Sequence, residues 1–512
     1  MKRNLLDRFI EWYNPVRASE RYRARVINAA MSTAFNTSDR SRRQNSGWNV
    51  FKRGDSDMVA EIPGERQYCQ DLSRKSPIAA GILSTKLTHV VGQGFTYHAR
   101  PDRKVLSMSD SYADAWEELV EREWSLFFNK KHCDVARTSI GNDLVRIIYD
   151  CVNVDGDILA LFPKVPTPGR PYFTRVQLVE ADRLCNPNDE QDTNKIVGGV
   201  EMDDYGTPVR YHIANYVAGS VVNASETREW KSVDAFGKKT GLPNLVHVYR
   251  RNRPNRPRGI PSLSPVIETL KMLTRYSEAE LMAAVVSSYF TVFIQTETGE
   301  ANIDSTYMSG GTGANSSDDN IKLGDAMVIG LRPNEKISTA NPGRPNDKFD
   351  QFVLALFREI GIAVNIPYEI LIKHFSSSYT ASRGALLEFW KWVLCEREFL
   401  YNSFLYPLRD VFMWEAVSLG RIKAPGYFND PILREAYNNG LFRGPARGHI
   451  DDLDEINAAI KRVESGVSTL DTETAEITGG NWERNHEQSV KEHRKRVEGG
   501  LIQDETSNNI QG

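Results

Sequence analysis

The sequence predicts an α+β protein that is divided into several substructures. Its 512 residues, of which 40% are hydrophobic, are enough to bury more than one core. Between residues 62 and 250, short apolar strands alternate with helical segments, a pattern typical of a mixed α/β unit. After residue 264, three long helical segments dominate, and two of them enclose a short segment rich in turn residues. The change of pattern near residue 264 predicts a boundary between two architectures.

Helices and strands of the first unit follow from local signals. Ser76 followed by Pro77 has the chemistry of a helix start, because the hydroxyl can cap the helix and proline has the fixed φ of a first turn. The region before it, residues 30–60, is poor in apolar residues and predicts a flexible arm, with order resuming near Ile62. Two further helices are expected at 112–128 and 140–154. Strands are expected at 95–98, 158–162, 173–179, in two strands within 200–211, and at 245–249.

The second half is predicted to contain three long helices. Ser264 is the expected N-cap of the first, which covers 265–288, and the second covers 347–363 with an apolar stripe on one side. The third covers 381–419, with a kink expected at Pro407 because proline lacks a backbone donor. Two or three mostly polar helices are expected after Gly448.

A small β-rich segment is predicted between the first two long helices. Strand patterns occur at 291–296, 326–331 and 335–339, and the Gly, Ser and Asn run at 308–320 predicts a loop. This order of elements predicts a projection: the first long helix leads away from the body, the β-rich segment forms the tip, and the second long helix returns. The tip is then free to contact partners.

An arginine-rich segment precedes the first long helix, where residues 249–267 read YRRNRPNRPRGIPSLSPVI. Its five arginines are Arg250, Arg251, Arg253, Arg256 and Arg258. Each guanidinium stays charged and requires acidic, phosphate or water partners, so the segment is expected in solvent or at an interface. A solvated basic loop and a pairing segment both fit this pattern.

Charge and cysteine content narrow the class of protein. The formal net charge is −3, but residues 1–60 carry 12 Lys and Arg against 6 Asp and Glu, whereas residues 451–512 carry 7 against 14. The two ends are therefore +6 and −7, which fits either partner contacts at the basic end or solvated termini. The five cysteines are scattered, as expected for reduced thiols in a cytoplasmic setting. We expect no signal peptide and no membrane span, because the apolar stretches are too short.

An enzymatic alternative deserves consideration. Asp155, Asp157, Glu180 and Asp182 could form the metal-binding carboxylate cluster of a nuclease. Turn chemistry is the much stronger explanation of the Asp-Gly-Asp sequence, and no His or Lys accompanies the carboxylates at a diagnostic spacing. No ATP-binding loop, zinc pattern or helix-turn-helix pattern occurs. We therefore expect no catalytic residue, no bound metal and no cofactor.

Several sequence blocks occur in an order that resembles a known family. They are SPIAAG (76–81), VVGQGF (90–95), VQLVEADRL (176–184), GVEMDDYGTPVRYHI (199–213), RNRPNRPRGIPSLSPVI (251–267), LRPNEKI (331–337), NPGRP (341–345), GIAVNIPYEIL (361–371), SSYTASRGALLEFW (377–390) and RGPARGHIDDLDE (443–455). Together they resemble the portal proteins of tailed bacteriophages, in particular the lambda-like branch. His449 and Asp452 depart from this pattern, since the family has an aromatic residue and a proline there.

The resemblance implies a function as well as a fold. Portal proteins form a homo-oligomeric ring, usually of twelve subunits, at one vertex of the capsid in the virion, and they assemble in the host cytoplasm. Double-stranded DNA passes through the ring during packaging and ejection. The ring docks the large terminase subunit and a head-tail adaptor protein, and it contacts the major capsid protein and scaffold. It has no ATPase of its own and no membrane partner.

The same resemblance implies a multi-domain portal fold with a mixed α/β wing, a long-helix stem, a small β-rich clip and a helical crown. The implied regions are a basic N-terminal arm (1–61), the wing (62–263), stem helix 1 (264–290), the clip (291–346), stem helix 2 (347–364), the tunnel loop region (365–380), the long wing helix (381–420) and the crown with the C-terminal helical tail (421–512).

Two groups of residues are candidate contact sites. The tunnel loop region contributes Lys373, His374, Ser376, Ser377 and Ser378, which we expect to touch DNA in the channel, although a plain surface loop also fits. For the arginine-rich segment, the leading expected partners are acidic residues of a neighbouring subunit, with DNA as the second possibility.

Overall fold

The structure is a computed structural model that describes residues 56–216, 228–254, 256–288, 292–296, 335–339, 349–375, 378–448 and 452–501. Most of the predicted arm, the predicted loop at 308–320 and the predicted strand at 326–331 lie outside these ranges. The α-helices are α1 (Ser56–Lys75), α2 (Pro77–Val90), α3 (Asp110–Phe128), α4 (Gly141–Val154), α5 (Ile267–Ser288), α6 (Phe349–Val364), α7 (Tyr368–Leu371), α8 (Tyr379–Leu400), α9 (Tyr406–Ser418), α10 (Pro431–Asn438), α11 (Asp452–Glu464), α12 (Leu470–Thr478) and α13 (Trp482–Glu498).

The β-strands are β1 (Thr96–Ala99), β2 (Asp157–Leu161), β3 (Gln177–Glu180), β4 (Ile196–Val197), β5 (Val200–Met202), β6 (Pro208–Ala214), β7 (Trp230–Asp234), β8 (Leu245–Tyr249), β9 (Val292–Thr296), β10 (Glu335–Thr339) and β11 (Gly440–Arg443). The described residues thus contain both helices and strands, which confirms the predicted mixed content.

Helix α2 begins where the sequence predicted it. The hydroxyl of Ser76 accepts a hydrogen bond from the backbone N–H of Ala79 at 3.4 Å, and Pro77 occupies the first turn. Helix α1 was not predicted, because the expected arm extended to residue 61. Its side chains Ile62, Arg66 and Cys69 are buried on one side of the helix, so tertiary packing orders a segment that has little apolar content.

Antiparallel sheets organise the first half of the chain. One sheet has the strand order β3-β2-β8, and Leu159 in its central strand lies opposite Val179 and His247. A second sheet has the order β4-β5-β6-β7 and contains the predicted hairpin. Farther along the chain, β9 pairs with β10, and β1 pairs with β11 near the C-terminal region. The last pairing joins segments more than 340 residues apart.

A single large apolar core connects the first half of the chain to the third long helix. Trp124 of α3 stacks on Phe128, with ring centroids 4.9 Å apart, and meets Phe412 of α9 edge to face at 5.2 Å. Tyr97 and Phe442 from the β1–β11 pair close the same cluster. The regions predicted as wing and long wing helix therefore share one core.

The third long helix is helical from Tyr379 to Ser418 but is not regular. Helices α8 and α9 are joined by a π-helical turn, Tyr401–Leu405, which ends just before Pro407. A wider turn accommodates the proline, which has no backbone N–H to donate. The helix is therefore irregular just before Pro407, and the predicted kink at that proline stays a prediction.

Three helices form the described part of the C-terminal tail, in agreement with the sequence. Helix α13 has no buried residue. Among the residues that the structure describes, no helix is both long and apolar enough to cross a bilayer.

Candidate functional site at the base of the two-helix arm

Arg258, the last arginine of the arginine-rich segment, is buried and fully bonded within its own chain. Its Nε donates to Oδ2 of Asp157 at 2.5 Å, and its Nη2 donates to Oδ1 at 3.2 Å. The remaining N–H groups donate to the backbone carbonyls of Leu184 and Gly198, at 2.7 and 2.8 Å, and of Ala181, at 2.9 Å. These five bonds equal the five donors of a guanidinium. Arg258 therefore ties the segment to strand β2.

Asp157 is the centre of a buried charge cluster. Besides Arg258, it accepts hydrogen bonds from Nη2 of Arg66 at 3.1 Å and from the backbone N–H of Gly259 at 3.2 Å, and its Oδ2 lies 3.2 Å from Nε2 of His247. Burial alone would raise the pKa of Asp157, but the positive charge of Arg258 and the His247 hydrogen bond outweigh it and hold that pKa well below its usual range. Asp157 is therefore an ionised carboxylate in the interior.

Two glycines allow the segment to approach this cluster. Gly156, just before Asp157, has φ +91°, which is costly for any side chain. A Cβ on Gly259 would lie 2.0 Å from the carbonyl oxygen of Gly156. The backbones of the two turns are consequently in direct contact, and larger residues would separate Arg258 from Asp157.

Three of the four carboxylates considered for a metal site, Asp155, Asp157 and Asp182, are held by cationic and amide side chains instead. Arg66 donates to Asp182 at 2.6 Å and to the backbone carbonyl of Asp155 at 2.8 Å, and Gln70 donates to Oδ1 of Asp155 at 2.8 Å. Within the described ranges, no group of three or more His, Cys, Asp or Glu side chains is arranged to hold a metal ion. These carboxylates serve the packing of α1 against the turn before β2.

Arg250, at the other end of the segment, pairs with the third long helix. Its Nη1 donates to Oε1 of Glu396 at 2.6 Å, its Nη2 donates to Oε2, and the guanidinium lies 4.8 Å from the ring centroid of Phe399. Tyr149 of α4 donates to the same carboxylate at 3.0 Å. The segment therefore bridges α4 and α8.

These contacts correct part of the sequence prediction. Arg250 and Arg258 were expected to pair with a neighbouring subunit or DNA, but their carboxylate partners lie in the same chain, and Arg256 is buried as well. The two remaining arginines, Arg251 and Arg253, are exposed, although Arg251 also donates to the carbonyl of Pro254 at 2.8 Å. The physical reason is that the fold places a carboxylate beside each of these two arginines, Glu396 beside Arg250 and Asp157 beside Arg258.

The first long helix begins slightly later than predicted. Ser264 opens a short 3₁₀ turn, Ser264–Val266, and α5 follows from Ile267. The hydroxyl of Ser264 donates to Oε2 of Glu65 on α1 at 2.8 Å, so it does not act as the predicted N-cap. The start of α5 is thereby fixed to α1.

Helices α5 and α6 form a two-helix arm that is buried only at its base. Tyr276 of α5 stacks on Phe349 of α6 with ring centroids 5.3 Å apart, and it meets Phe352 at 5.2 Å. Farther along, Leu281 is 68% exposed, and on the second helix Ile362 is 81% exposed. Near the base, buried and exposed apolar side chains occupy different sides of the same helices, and farther out the exposed ones predominate. The buried ones are Val266, Leu270, Leu273, Ile360 and Val364, and the exposed ones include Met272, Leu281, Met282, Val285, Phe352 and Ile362.

The candidate channel loop follows α7. Lys373 and His374 are exposed, and Lys373 has a left-handed backbone with φ 54°. Ser378 is the N-cap of α8. Its hydroxyl oxygen accepts a hydrogen bond from the backbone N–H of Ala381 at 3.4 Å, so this oxygen already has a partner within the chain. Ser376 and Ser377 lie outside the described residues.

Comparison with known proteins identifies the family. The family model described as "Phage portal protein, lambda family" matches residues 41–397, which is more than two thirds of the 512 residues. The chain belongs to the lambda family of phage portal proteins. The resemblance stated from the sequence blocks is thereby confirmed, and the chain is assigned to a structural family of the phage particle.

Individual portal proteins match almost the whole chain. The portal protein of Escherichia phage N15 is 24% identical over 478 residues, which cover 89% of this chain and 88% of the relative. Portal protein B of Escherichia phage lambda is 24% identical over 481 residues with the same coverage.

Among solved structures, a virion of a native gene transfer agent particle contains a chain with 13% identity, a TM-score of 0.41 and coverage of 84% of this chain and 94% of that one. The neck of the native particle, computed with C12 symmetry, contains one with 12% identity, a TM-score of 0.40 and coverage of 80% and 92%.

The charge cluster at the base of the arm was missed by sequence reasoning. Arg66 lies just after the point where order was expected to resume, in a stretch to which no helix or strand was assigned, and His247 was considered only as part of a strand. The spacing of Ile62, Arg66 and Cys69, four and three residues apart, is the signal that could have indicated a buried face of α1.

Proposed function

We propose that this portal protein forms a ring of twelve subunits at one capsid vertex in the virion, and that the ring serves as the channel for packaging and ejection of double-stranded DNA. The ring docks the large terminase subunit and a head-tail adaptor protein, and it contacts the major capsid protein and scaffold. It is assembled in the host cytoplasm. Its role is structural, with no catalytic residue and no cofactor of its own.

The observation that carries the ring proposal is the exposed apolar surface of the two-helix arm. Leu281 and Met282 on α5, and Phe352 and Ile362 on α6, are all at least half exposed. Exposed large apolar side chains on two packed helices are typical of a surface that contacts another protein. Head-to-tail packing of one arm against the next would bury it, and such heterologous contacts close into a ring when the rotation permits.

The division into portal regions is part of the same proposal. We assign the wing to 62–263, stem helix 1 to 264–290, the clip to 291–346 and stem helix 2 to 347–364. The remaining regions are the arm at 1–61, the tunnel loop region at 365–380, the long wing helix at 381–420 and the crown with its tail at 421–512. Strands β9 and β10 lie between α5 and α6 in sequence and pair antiparallel. This pairing supports a β-rich clip at the far end of the two-helix arm formed by α5 and α6.

The tunnel loop region is the proposed DNA contact within the channel. Lys373 and His374 are exposed and stand at the end of α7, and the segment includes three serines, Ser376 to Ser378. A sparse set of cations and polar donors suits a bore, because it contacts phosphates without binding so tightly that DNA movement stalls. Arg251 and Arg253 remain as the exposed part of the arginine-rich segment, for contact with DNA or with a neighbouring subunit.

Negative-stain electron microscopy of the purified protein tests the ring. Twelve copies of the 57.9 kDa chain correspond to about 0.7 MDa, and the expected image is a ring with a central hole. Replacing two exposed arm residues, Leu281→Gln with Ile362→Gln, should shift the protein towards monomers and small oligomers. Tyr205→Ser is the matched control, because Tyr205 is 96% exposed at the tip of the β5–β6 hairpin, away from the arm. A wild-type protein that remains monomeric under all conditions would contradict the proposal.

A further inference from the structure

The last turns of α13 carry a dense group of exposed cations. Lys491, Arg494, Lys495 and Arg496 lie within six residues, against a single carboxylate, Glu492. With His493 neutral, the net charge of residues 491–496 is +4 − 1 = +3, whereas residues 451–512 as a whole are at 7 − 14 = −7. The segment is therefore a local basic patch in an acidic tail. We call these four side chains the α13 basic patch.

The α13 basic patch differs from the other arginines of the C-terminal region in its partners. Arg443 pairs with Asp471 at 2.6 Å, Arg462 donates to Oε1 of Glu473 at 2.8 Å, and Arg484 pairs with Glu121 at 3.0 Å. For the four patch residues, no ion pair occurs within the described part of the chain. The charges at the start of α13 fix the helix to the body, while those at its end face solvent.

The geometry of the helix places three of the four patch residues on one side of α13, and Arg496 follows on an adjoining side. Arg494 and Lys495 follow Lys491 by three and four residues. Residues at these spacings are neighbours on a helix surface, so Lys491 is adjacent to both. These three residues cover about 6 Å of helix axis, since each residue adds about 1.5 Å. Because α13 has no buried residue, a large partner can approach it without disturbing the core.

We infer that the α13 basic patch binds the phosphate backbone of double-stranded DNA, as a second contact outside the tunnel loop region. The inference rests on the proposed function, because it takes double-stranded DNA as the polyanion that the ring meets. Clustered Lys and Arg on one exposed surface bind phosphates without sequence preference and with a strong dependence on salt. The patch contacts phosphates and not base edges, so it can bind DNA of any sequence that passes the C-terminal helices of the chain.

Two other roles predict different results. Cations at a helix C-terminus stabilise the helix through its dipole, which would affect unfolding but not DNA binding. An acidic surface on a neighbouring subunit would use the same charges, and then removing them would impair ring formation.

The test measures binding of the assembled full-length protein to a short, blunt-ended, fluorescein-labelled duplex by anisotropy, between about 50 and 200 mM salt. The variant replaces Lys491, Arg494, Lys495 and Arg496 with Gln. If it removes about three phosphate contacts, the slope of log K against log salt should fall by about 2.7, so the loss of affinity across this range should shrink by about 40-fold. The matched control replaces four exposed lysines elsewhere, Lys130, Lys131, Lys238 and Lys239, with Gln, which changes the net charge equally.

The expected result is a reduced salt slope in the patch variant alone, with rings unchanged in electron microscopy and an unchanged unfolding midpoint. Equal loss in both variants would overturn the inference, because net charge would then explain the binding. Unchanged binding with a lower unfolding midpoint, or with loss of rings, would also overturn it, in favour of the helix dipole or a subunit contact. Failure of the wild type to form rings would instead contradict the proposed function, and the images of the same sample distinguish the two.

Discussion

Arg258 and Asp157 form an ion pair with an Nε to Oδ2 distance of 2.5 Å, and neither side chain is more than 6% exposed. An internal charge is stable only while its partner is present, because the protein interior solvates an isolated ion poorly. The pair joins the arginine-rich segment to β2, and so it fixes the base of the two-helix arm.

Asp157→Asn should therefore destabilise the fold strongly. The amide keeps the shape of the side chain but removes the charge, and it leaves Arg258 buried without a counterion. We expect a loss of about 3–5 kcal/mol in the free energy of unfolding, measured as a lower urea midpoint by tryptophan fluorescence. Asp155→Asn is the control: burial raises the pKa of Asp155, and an amide oxygen can still accept from Gln70, so the loss should stay near 1 kcal/mol. Equal losses in the two variants would show that the ion pair has no special role.

His247 should make stability fall as the pH is lowered from neutrality. Burial lowers its pKa, against the opposing effect of Asp157, so the folded state keeps the ring neutral while the unfolded chain accepts a proton below the ordinary value of 6.5. A base whose folded pKa is depressed binds more protons when unfolded, and stability then decreases with falling pH. The charged groups around the ring are Asp157, Arg258 and Arg66.

Urea midpoints between pH 7 and 5 measure this effect. His247→Gln should give a flatter profile over that range than the wild type. His374→Gln, at an exposed histidine, should leave the profile unchanged. If His247→Gln follows the wild-type profile, another group controls the pH dependence. The ionised Asp157 adds a second loss at lower pH, because its folded pKa lies below the ordinary 3.8.

Local signals explain which parts of the fold the sequence predicted. Ser76 and Pro77 define the start of α2 by chemistry that acts within four residues, and the apolar segment Leu245–Tyr249 was predicted with the observed bounds of β8. Family resemblance, supported by blocks along most of the chain, predicted the portal assignment.

Long-range contacts explain what the sequence did not predict. Asp157 and Arg258 are 101 residues apart in sequence, and nothing in the local pattern pairs them. Without that contact, an arginine-rich segment predicts solvent or an interface, and that prediction was wrong for Arg258, whose side chain is 6% exposed. Helix α1 was missed for a related reason, since its order depends on burial of Ile62, Arg66 and Cys69 against the rest of the fold.

The exposed arginines of the segment provide a cleaner test of intermolecular pairing than the buried ones. Arg251→Glu with Arg253→Glu should leave the unfolding midpoint close to that of the wild type, since surface substitutions usually change stability by no more than about 0.5 kcal/mol. If these residues contact a neighbour's carboxylates, the variant should form fewer rings, and the deficit should decrease at high salt because exposed ion pairs are screened. Particle counts in electron microscopy at low and high salt measure this. Unchanged ring formation at every salt concentration would assign these two arginines to solvent or DNA.

The tunnel loop region leads to a prediction about DNA movement. Lys373→Ala with His374→Ala removes the exposed polar groups at the end of α7 without touching the core. We expect normal rings but less DNA packaged per capsid, because the channel loses cations that contact passing phosphates. Nuclease-protected DNA per particle, in a packaging reaction with the matching terminase and capsids, is the measurement.

Two controls separate contact with DNA from damage to the loop. Lys238→Ala with Lys239→Ala removes two exposed lysines from the turn after β7 and should package normally. Ser378→Ala removes the N-cap of α8, which should lower the free energy of unfolding by about 1 kcal/mol while leaving the cations in place. If packaging follows the cations, the Lys373 and His374 variant fails and Ser378→Ala packages DNA. If Ser378→Ala fails to the same degree, the Ser378 hydroxyl or the conformation of the loop matters as much as the charge. Unchanged packaging in the Lys373 and His374 variant would contradict the DNA contact of these two residues.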